Sequence, residues 1–213
     1  MNVENSVSIV TGSSSGVGAA TARMLAEKGG RVVINYSKSV DAARVVAAEC
    51  ESLGGDTLLC QADVANDDDC RRMVAEALKK WDRLDALVNN AGTTKFVQHA
   101  DMDGLDGADF QSIYGVNVIG PFQMVRAASN ALKASGDASV VNVASIAGVK
   151  GVGSSIAYAA SKGALITMTQ SLARVLGPEI RVNAVCPGFI KGEWLAEGMG
   201  RETYEASKSF LEA

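Results

Sequence analysis

"VSIVTGSSSGVGAATARMLAEKGGRVVINY", residues 7–36, is the stretch whose reading decides the fold. Val7 to Gly12 is a short apolar run ended by glycine, which predicts a buried strand. Ala19, Ala22, Leu25 and Ala26 then recur at helical spacing, and Gly29-Gly30 stops the helix. "RVVINY" follows as a second buried strand. The unit is therefore strand, glycine-rich turn, helix, strand. Glycine at such a junction permits a tight turn, close backbone approach to a diphosphate and close helix–strand packing. The helix N-terminus would add N–H donors and a positive dipole end for an anion.

The same alternation continues outward. "SVDAARVVAAECESLGG" reads as a helix, "DTLLCQADV" as the third strand, and "NDDDCRRMVAEALKKW" as a helix with acids in its first turn and bases in its last. "LDALVNNAG" is the fourth strand. After the turn-forming "HADMDGLDG", a long helix is expected from about Phe110 to Leu132, bent by Pro121. "ASVVNVAS" is the fifth strand, a helix spans about Ile156 to Leu176, and "IRVNAVCPG" is the sixth strand. The tail from Lys191 is helical in composition and carries Trp194, Met199, Tyr204 and Phe210. Strands apolar on both faces, separated by helices, imply an α/β protein: a doubly wound parallel sheet in three layers with right-handed crossovers. No repeat, linker or low-complexity segment divides the 213 residues, so one domain, 1–213, is expected.

Composition narrows the partners. The formal net charge of −4, without a basic run, argues against nucleic acid and against an anionic membrane surface. No apolar stretch reaches the roughly 18–20 residues that span a bilayer. The opening "MNVENSVSIVTG" lacks the basic and apolar regions of a secretory signal, so a cytoplasmic protein is expected. Cys50, Cys60, Cys70 and Cys186 lack the tight pairing of zinc ligands, and the single histidine, His99, in the loop after the fourth strand, is read as a surface residue in preference to one that faces the site. The cysteines are read as buried or half-buried apolar residues in a reducing compartment, with no metal site. Asp67, Asp68 and Asp69 lack the spaced ligands and glycine of a calcium loop and are read as a helix start.

At the phosphate end, Gly12, Gly16 and Gly18 have the spacing G-x-x-x-G-x-G, so the turn of Ser14, Ser15, Gly16, Val17 and Gly18 is a candidate dinucleotide cradle. An acid about twenty residues on would select NAD. No acid lies between Gly30 and Val40; Tyr36, Ser37 and Lys38 stand there, with Asn35 before them. A missing acid and an available base favour NADP over NAD, with Asn35, Ser37 and Lys38 as candidate partners of a 2′-phosphate. Asp63, after the third strand, is placed either to accept from an adenine amino group or to cap the turn that follows.

At the chemical end, Tyr158 and Lys162 are one helical turn apart and share a face. Ser145 ends the fifth strand, and the glycine turn, "NNAG" (Asn89–Gly92) and Pro187-Gly188 also follow strands. Ligands of open parallel sheets bind beyond these carboxyl ends. A free tyrosine has a pKa near 10, and a nearby ammonium favours its phenolate. A shift of about two units requires roughly 2.7 kcal/mol, within reach of one close charge in a dry cleft.

In order and spacing these motifs resemble the short-chain dehydrogenase/reductase family over about Val7 to Ile190: T-G-x-x-x-G-x-G at Thr11–Gly18, N-N-A-G at Asn89–Gly92, an asparagine at Asn117, a serine at Ser145, Y-x-x-x-K at Tyr158–Lys162 and P-G at Pro187-Gly188. "VVINYSKS" and "VNAVCPGFI" look most like its 3-oxoacyl carrier-protein reductase branch. The resemblance implies a Rossmann-type fold and hydride transfer between a nicotinamide dinucleotide and a carbonyl or secondary alcohol. It implies Tyr158 as acid/base, Lys162 lowering its pKa and bonding the nicotinamide ribose, Ser145 positioning the reacting oxygen, and Asn117 holding a water that links Lys162 to solvent. It also implies that Val64, Asn90, Ala91, Gly92, Pro187, Gly188 and Ile190 line the cofactor. The segment from about residue 190 to 213 resembles the family's substrate lid, and the two long helices resemble its contact surface in a homotetramer. Two departures stand out. Position 192, where the family often has a hydroxyl near the carboxamide, is Gly192, and the family's usual final strand is lacking before Ala213. The alternatives are an NAD-linked dehydrogenase of a sugar, sterol or small alcohol, and a dinucleotide-binding sensor or scaffold without turnover.

Overall fold

The computed structural model describes residues 2–212, and the side chains of all of these except 193, 194 and 210–212. Six parallel strands form one sheet: β1 (Val7–Val10), β2 (Arg31–Tyr36), β3 (Asp56–Gln61), β4 (Ala86–Asn89), β5 (Ala138–Val143) and β6 (Ile180–Val185), in the order β3-β2-β1-β4-β5-β6. The order reverses between β1 and β4, which opens a crevice at their carboxyl ends. β1 is buried throughout and β2 from Val32 to Asn35, as expected of strands covered on both faces.

Helices α1 (Gly16–Glu27), α2 (Val40–Ser52) and α3 (Asp67–Trp81) follow the first three strands. One apolar cluster joins α1 and α2 to β1 and β2 through Val10, Ala22, Val32, Ile34 and Val46. The other joins the opposite face to the helices after β3, β4 and β5 through Ile9, Met73, Leu87, Met124, Leu132 and Val140. Asn66 caps α3 by accepting from the N–H groups of Asp68 and Asp69. The acidic start of this helix is tied up in ion pairs: Asp67 with Arg71 and Arg126, Asp69 with Arg72. Burial pushes the thiols of Cys60 and Cys70 up to about 12, so both stay neutral. Cys50 is buried as well, whereas Cys186 is exposed, contrary to its reading as a buried or half-buried residue.

The long helix expected from Phe110 to Leu132 begins at Gly107 and ends at Ser135, and it is not uniformly α-helical. α4 (Gly107–Tyr114) starts from a reciprocal cap between Asp106 and Asp109. A π-helical turn (Gly115–Ile119) follows, with the N–H of Gly120 donating to the carbonyl of Gly115, and α5 (Gly120–Ser135) completes the run. Pro121 has no N–H for the carbonyl of Asn117 four residues back, which accounts for the widened turn. The expected bend is therefore a π turn, and it contains Asn117.

α6 (Ala147–Lys150) is a short turn after β5, and α7 (Ile156–Leu176) is the helix that carries Tyr158 and Lys162. Gly148 of α6 lies against α7: a Cβ there would be 2.5 Å from the backbone of Lys162 and Gly163. This contact brings the segment after β5 onto the start of α7. Beyond β6, the tail forms α8 (Glu193–Met199) and α9 (Arg201–Glu212). Among the described residues, no helix is long and apolar enough to cross a membrane.

Candidate active site

The glycine turn is braced from two sides. Gly12 has a φ of +61°, and a Cβ there would be 2.9 Å from the Cα of Ala91. Asn90 donates its side-chain amide to the carbonyls of Thr11 (2.9 Å) and Gly12 (3.1 Å), and the N–H groups of Asn90 and Ala91 reach the Thr11 hydroxyl. On the other side Asn35, 2% exposed, accepts from the N–H of Gly12 (2.9 Å) and donates to the carbonyl of Ala62 (3.1 Å). Asn35 is thus not available to a 2′-phosphate: its amide locks the turn to the end of β3. A polar residue within a strand buried on both faces must find partners inside the protein, and Asn35 finds them in this backbone. Ser37 and Lys38 stand exposed at the end of β2, and Tyr36 is half-buried. Asp63 is exposed and accepts from the N–H of Ala65 (2.9 Å), so it does cap its own turn. The carbonyl of Val64 is taken by Gln123 (2.8 Å).

A cleft of about 1,020 Å³ opens at the carboxyl ends of the strands. Gly12, Ser15, Gly16, Val17 and Asn90 line one end; Ser145, Tyr158, Lys162, Pro187, Gly188 and Ile190 line its middle. Ser14, Gly18, Tyr36, Ser37, Lys38, Asp63, Val64, Ala91 and Gly92 lie outside this lining. The cleft suits an extended dinucleotide: a Cβ on Gly16 or on Gly188 would meet nothing within 4 Å, so backbone is open to a ligand at both places.

Tyr158, Lys162 and Ser145 converge. Ser155 caps α7 by accepting from the N–H of Tyr158 (3.2 Å), which fixes the first turn. The Lys162 ammonium lies 5.7 Å from the centre of the Tyr158 ring and donates to the carbonyl of Val143 (2.8 Å). Burial holds the Tyr158 phenol above its ordinary value of 10, and a hydrogen bond with the Ser145 hydroxyl opposes that shift. Burial also pushes Lys162 down to about 8. In the chain alone, desolvation thus favours the neutral form of both groups. Ser145 is held in place by its neighbours, with the N–H of Ala144 donating to the carbonyl of Val185 and that of Ile146 to the carbonyl of Pro187.

Asn117 is fully buried behind this group. Its amide accepts from the N–H of Thr93 (2.8 Å) and donates to the Thr93 carbonyl (2.9 Å) and the Ser161 hydroxyl (3.0 Å). A Cβ on Gly92 would be 3.5 Å from Asn117 Oδ1 and 3.6 Å from Lys162 Nζ, so both atoms border the space above that glycine. Beneath the site a buried chain runs from Asn89 through Asn142 to Thr169, each link 2.8 Å.

The far wall of the cleft is largely apolar, with Phe96, Ile146, Val152, Phe189, Leu195 and Met199, and carries Gln98, Ser154 and Thr203 among them. His99, read from sequence as a surface residue, lines this wall. Its position after the fourth strand was the available signal, since loops at that edge face the crevice. Trp194, in the segment that resembles a substrate lid and open to a reading as a substrate contact or as an ordinary buried residue, has its side chain outside the described residues. At Gly192, where a hydroxyl was missed, the backbone N–H donates to the Tyr204 hydroxyl (3.2 Å), and Tyr204 stacks on Phe189.

A doubly wound sheet, a braced glycine turn and a tyrosine–lysine–serine group in one cleft together define a dinucleotide-binding α/β protein of the oxidoreductase kind. Residues 6–203 match the short chain dehydrogenase family. A protein of Streptomyces violaceoruber assigned as ketoacyl reductase 2 of the granaticin polyketide synthase is 46% identical over 90% of this chain and 75% of its own length. The 3-oxoacyl-[acyl-carrier-protein] reductase of Synechocystis is 38% identical over 86% of this chain and 74% of its own. A crystal structure from Burkholderia xenovorans, described as a short-chain dehydrogenase/reductase, superposes with a TM-score of 0.88 at 47% identity, covering 92% of this chain and 82% of that one. The chain belongs to the short-chain dehydrogenase/reductase family and is an oxidoreductase acting on carbonyl or CH–OH groups.

Proposed function

We propose that the protein reduces a ketone of the 3-oxoacyl type with NADPH. The observation that carries this reading is the convergence of the Tyr158 phenol, the Ser145 hydroxyl and the Lys162 ammonium in the cleft that also holds the glycine turn. When bound, the dinucleotide supplies the hydride. Tyr158 gives its proton to the substrate oxygen during reduction and takes it back during oxidation. Ser145 holds that oxygen, and Lys162 offers its charge to the phenol and its N–H groups to a ribose hydroxyl. Asn117, in the π turn beside Lys162, holds a water through which the amine reaches solvent. The glycine turn with Ser14, Ser15 and Val17 cradles the diphosphate; Asp63, Val64, Asn90, Ala91, Gly92, Pro187, Gly188 and Ile190 line the rest of the dinucleotide. Helices α8 and α9 cover the substrate.

NADPH is favoured over NADH because Tyr36, Ser37 and Lys38 stand at and just after the end of β2, with no acid between Gly30 and Val40. The dissociation constant for NADPH should be lower than for NADH, and Lys38→Glu should reverse the order, losing roughly tenfold or more for NADPH. Titration of the quenching of protein fluorescence by each dinucleotide measures this; tighter NADH in the wild-type chain contradicts the preference. Ile119 and Phe122 are exposed apolar residues on the long helix, and α7 exposes no charge between Ala160 and Ser171. These faces support assembly of the chain as a homotetramer.

Ketone-dependent loss of reduced-nicotinamide absorbance tests the activity itself. Reduction of a 3-oxoacyl thioester is the expected result, and dinucleotide binding without turnover of any ketone contradicts the reading.

A further inference from the structure

Among the described residues, three buried side-chain polar atoms lack a hydrogen-bond partner: Ser8 Oγ, Asn89 Oδ1 and His99 Nε2. Ser8 and Asn89 belong to β1 and β4, at the centre of the sheet. His99 alone of the three lines the cleft. A buried polar atom without a partner destabilises a fold, and one that borders a cleft can be completed by what the cleft binds.

The surroundings of His99 are built. Its loop is fastened at Thr93 by the Asn117 amide, at Thr94 by the Ser154 hydroxyl (2.8 Å), and at Val97, whose N–H donates to the carbonyl of Ser154 (2.9 Å). Phe96 of the same loop packs flush against Gly198 of α8, where no Cβ would fit. The imidazole stands in a part of the lining where Phe96, Ile146, Val152, Phe189, Leu195 and Met199 supply apolar surface and Gln98, Ser154 and Thr203 are polar neighbours. Among the described side chains no aspartate or glutamate lines the cleft, and its lysines are Lys162, held by the Val143 carbonyl, and Lys191.

We infer that His99 is a specificity-determining residue that hydrogen-bonds a hydroxyl group of the substrate, distinct from the carbonyl under reduction. The inference rests on the reading of the cleft as a ketone reductase site and names its substrate class: an uncharged ketone with an apolar body that bears a hydroxyl. A hydroxyl both donates and accepts, so it satisfies Nε2 in either imidazole tautomer, which a second carbonyl would not. The apolar wall takes the body of the molecule, and His99 sets its register so that the carbonyl meets Tyr158.

The test compares tetralone with its ring-hydroxylated isomers as substrates for the wild-type protein, His99→Leu and His99→Phe, with NADPH and with NADH, thermal unfolding serving to check each fold. At least one hydroxylated isomer should exceed tetralone by tenfold or more in kcat/KM, mainly through KM. Both apolar variants should bring that ratio close to one. A wild-type ratio near one for every isomer, or a ratio unchanged in a folded variant, overturns the inference. Should the wild-type protein reduce no ketone, the reductase reading fails by itself, and binding of the same ligands by calorimetry decides the role of His99. There, tenfold weaker binding of a hydroxylated isomer by the variants supports it, and equal binding overturns it.

Discussion

Tyr158→Phe is expected to lower kcat by about 100- to 10,000-fold, the range that a positioned proton donor supplies. The ring stays, so the packing around the start of α7 and the Ser155 cap, which uses only the backbone of residue 158, are retained. Only the proton and its hydrogen bond with Ser145 go. NADPH should bind with a dissociation constant within about threefold of the wild-type value, because the glycine turn is untouched and one hydrogen bond at most is lost. Steady-state turnover of a 3-oxoacyl thioester, with fluorescence titration of NADPH beside it, separates the two effects. Undiminished kcat would remove Tyr158 from the chemistry. A matched loss of cofactor binding would make it a structural residue instead.

The second large effect is expected at Gly18. A Cβ there would fall on Asn90 Nδ2 and lie 2.6 Å from the carbonyl oxygen of Gly12 and 3.0 Å from the Cα of Ser13. The amide of Asn90 is committed to the carbonyls of Thr11 and Gly12, so it cannot yield without losing both bonds. Ala is otherwise the better helix former at such a position. Overpacking should nevertheless prevail, costing about 1–3 kcal/mol of stability. The turn would open, and NADPH affinity should fall by roughly tenfold or more, since close backbone approach to the diphosphate depends on it. Thermal unfolding and NADPH titration of Gly18→Ala check both parts. Gly16→Ala provides the contrast: no atom lies within 4 Å of its Cβ position, and its φ of +54° is the strain that a Cβ would meet. Equal stability and affinity of Gly18→Ala and the wild-type chain would show that the turn is not as tightly braced as its geometry indicates.

The layered fold was legible because its strands are buried on both faces and its helices stop at glycines. Arg31–Tyr36 was bounded correctly for that reason, and the first strand, read from Val7 to Gly12, starts at Val7 and ends at Val10. β3 was read through Val64 but ends at Gln61, because Asp63 caps its own turn there. The run from Gly107 to Ser135 was recognised as helix, yet periodicity could not show the π turn. Pro121 marks it only through the missing N–H toward Asn117. α6 has four residues, too few for any period to register. At the candidate site, motif spacing carried Tyr158, Lys162 and Ser145 to one cleft. Asn35 and His99 were misplaced for opposite reasons. Asn35 adjoins the selectivity position in sequence, but β2 turns its amide inward to Gly12 and Ala62. His99 looked like a surface residue because the packing of its loop against Ser154 and Asn117 is long-range.

The central claim, that Tyr158 is a proton-transfer group tuned by Lys162, is tested most directly by titrating its phenolate absorbance, taken as wild type minus Tyr158→Phe. Without dinucleotide, burial keeps the phenol protonated past pH 10, while Lys162 loses its proton near 8. Adding oxidised dinucleotide places a positive ring beside the phenol, which favours phenolate, and the midpoint should fall by about one to two pH units. With dinucleotide bound, the midpoint in Lys162→Met should lie above that of the wild-type protein, since the ammonium no longer favours the phenolate. A midpoint that stays put in the wild-type protein with saturating dinucleotide would contradict the account.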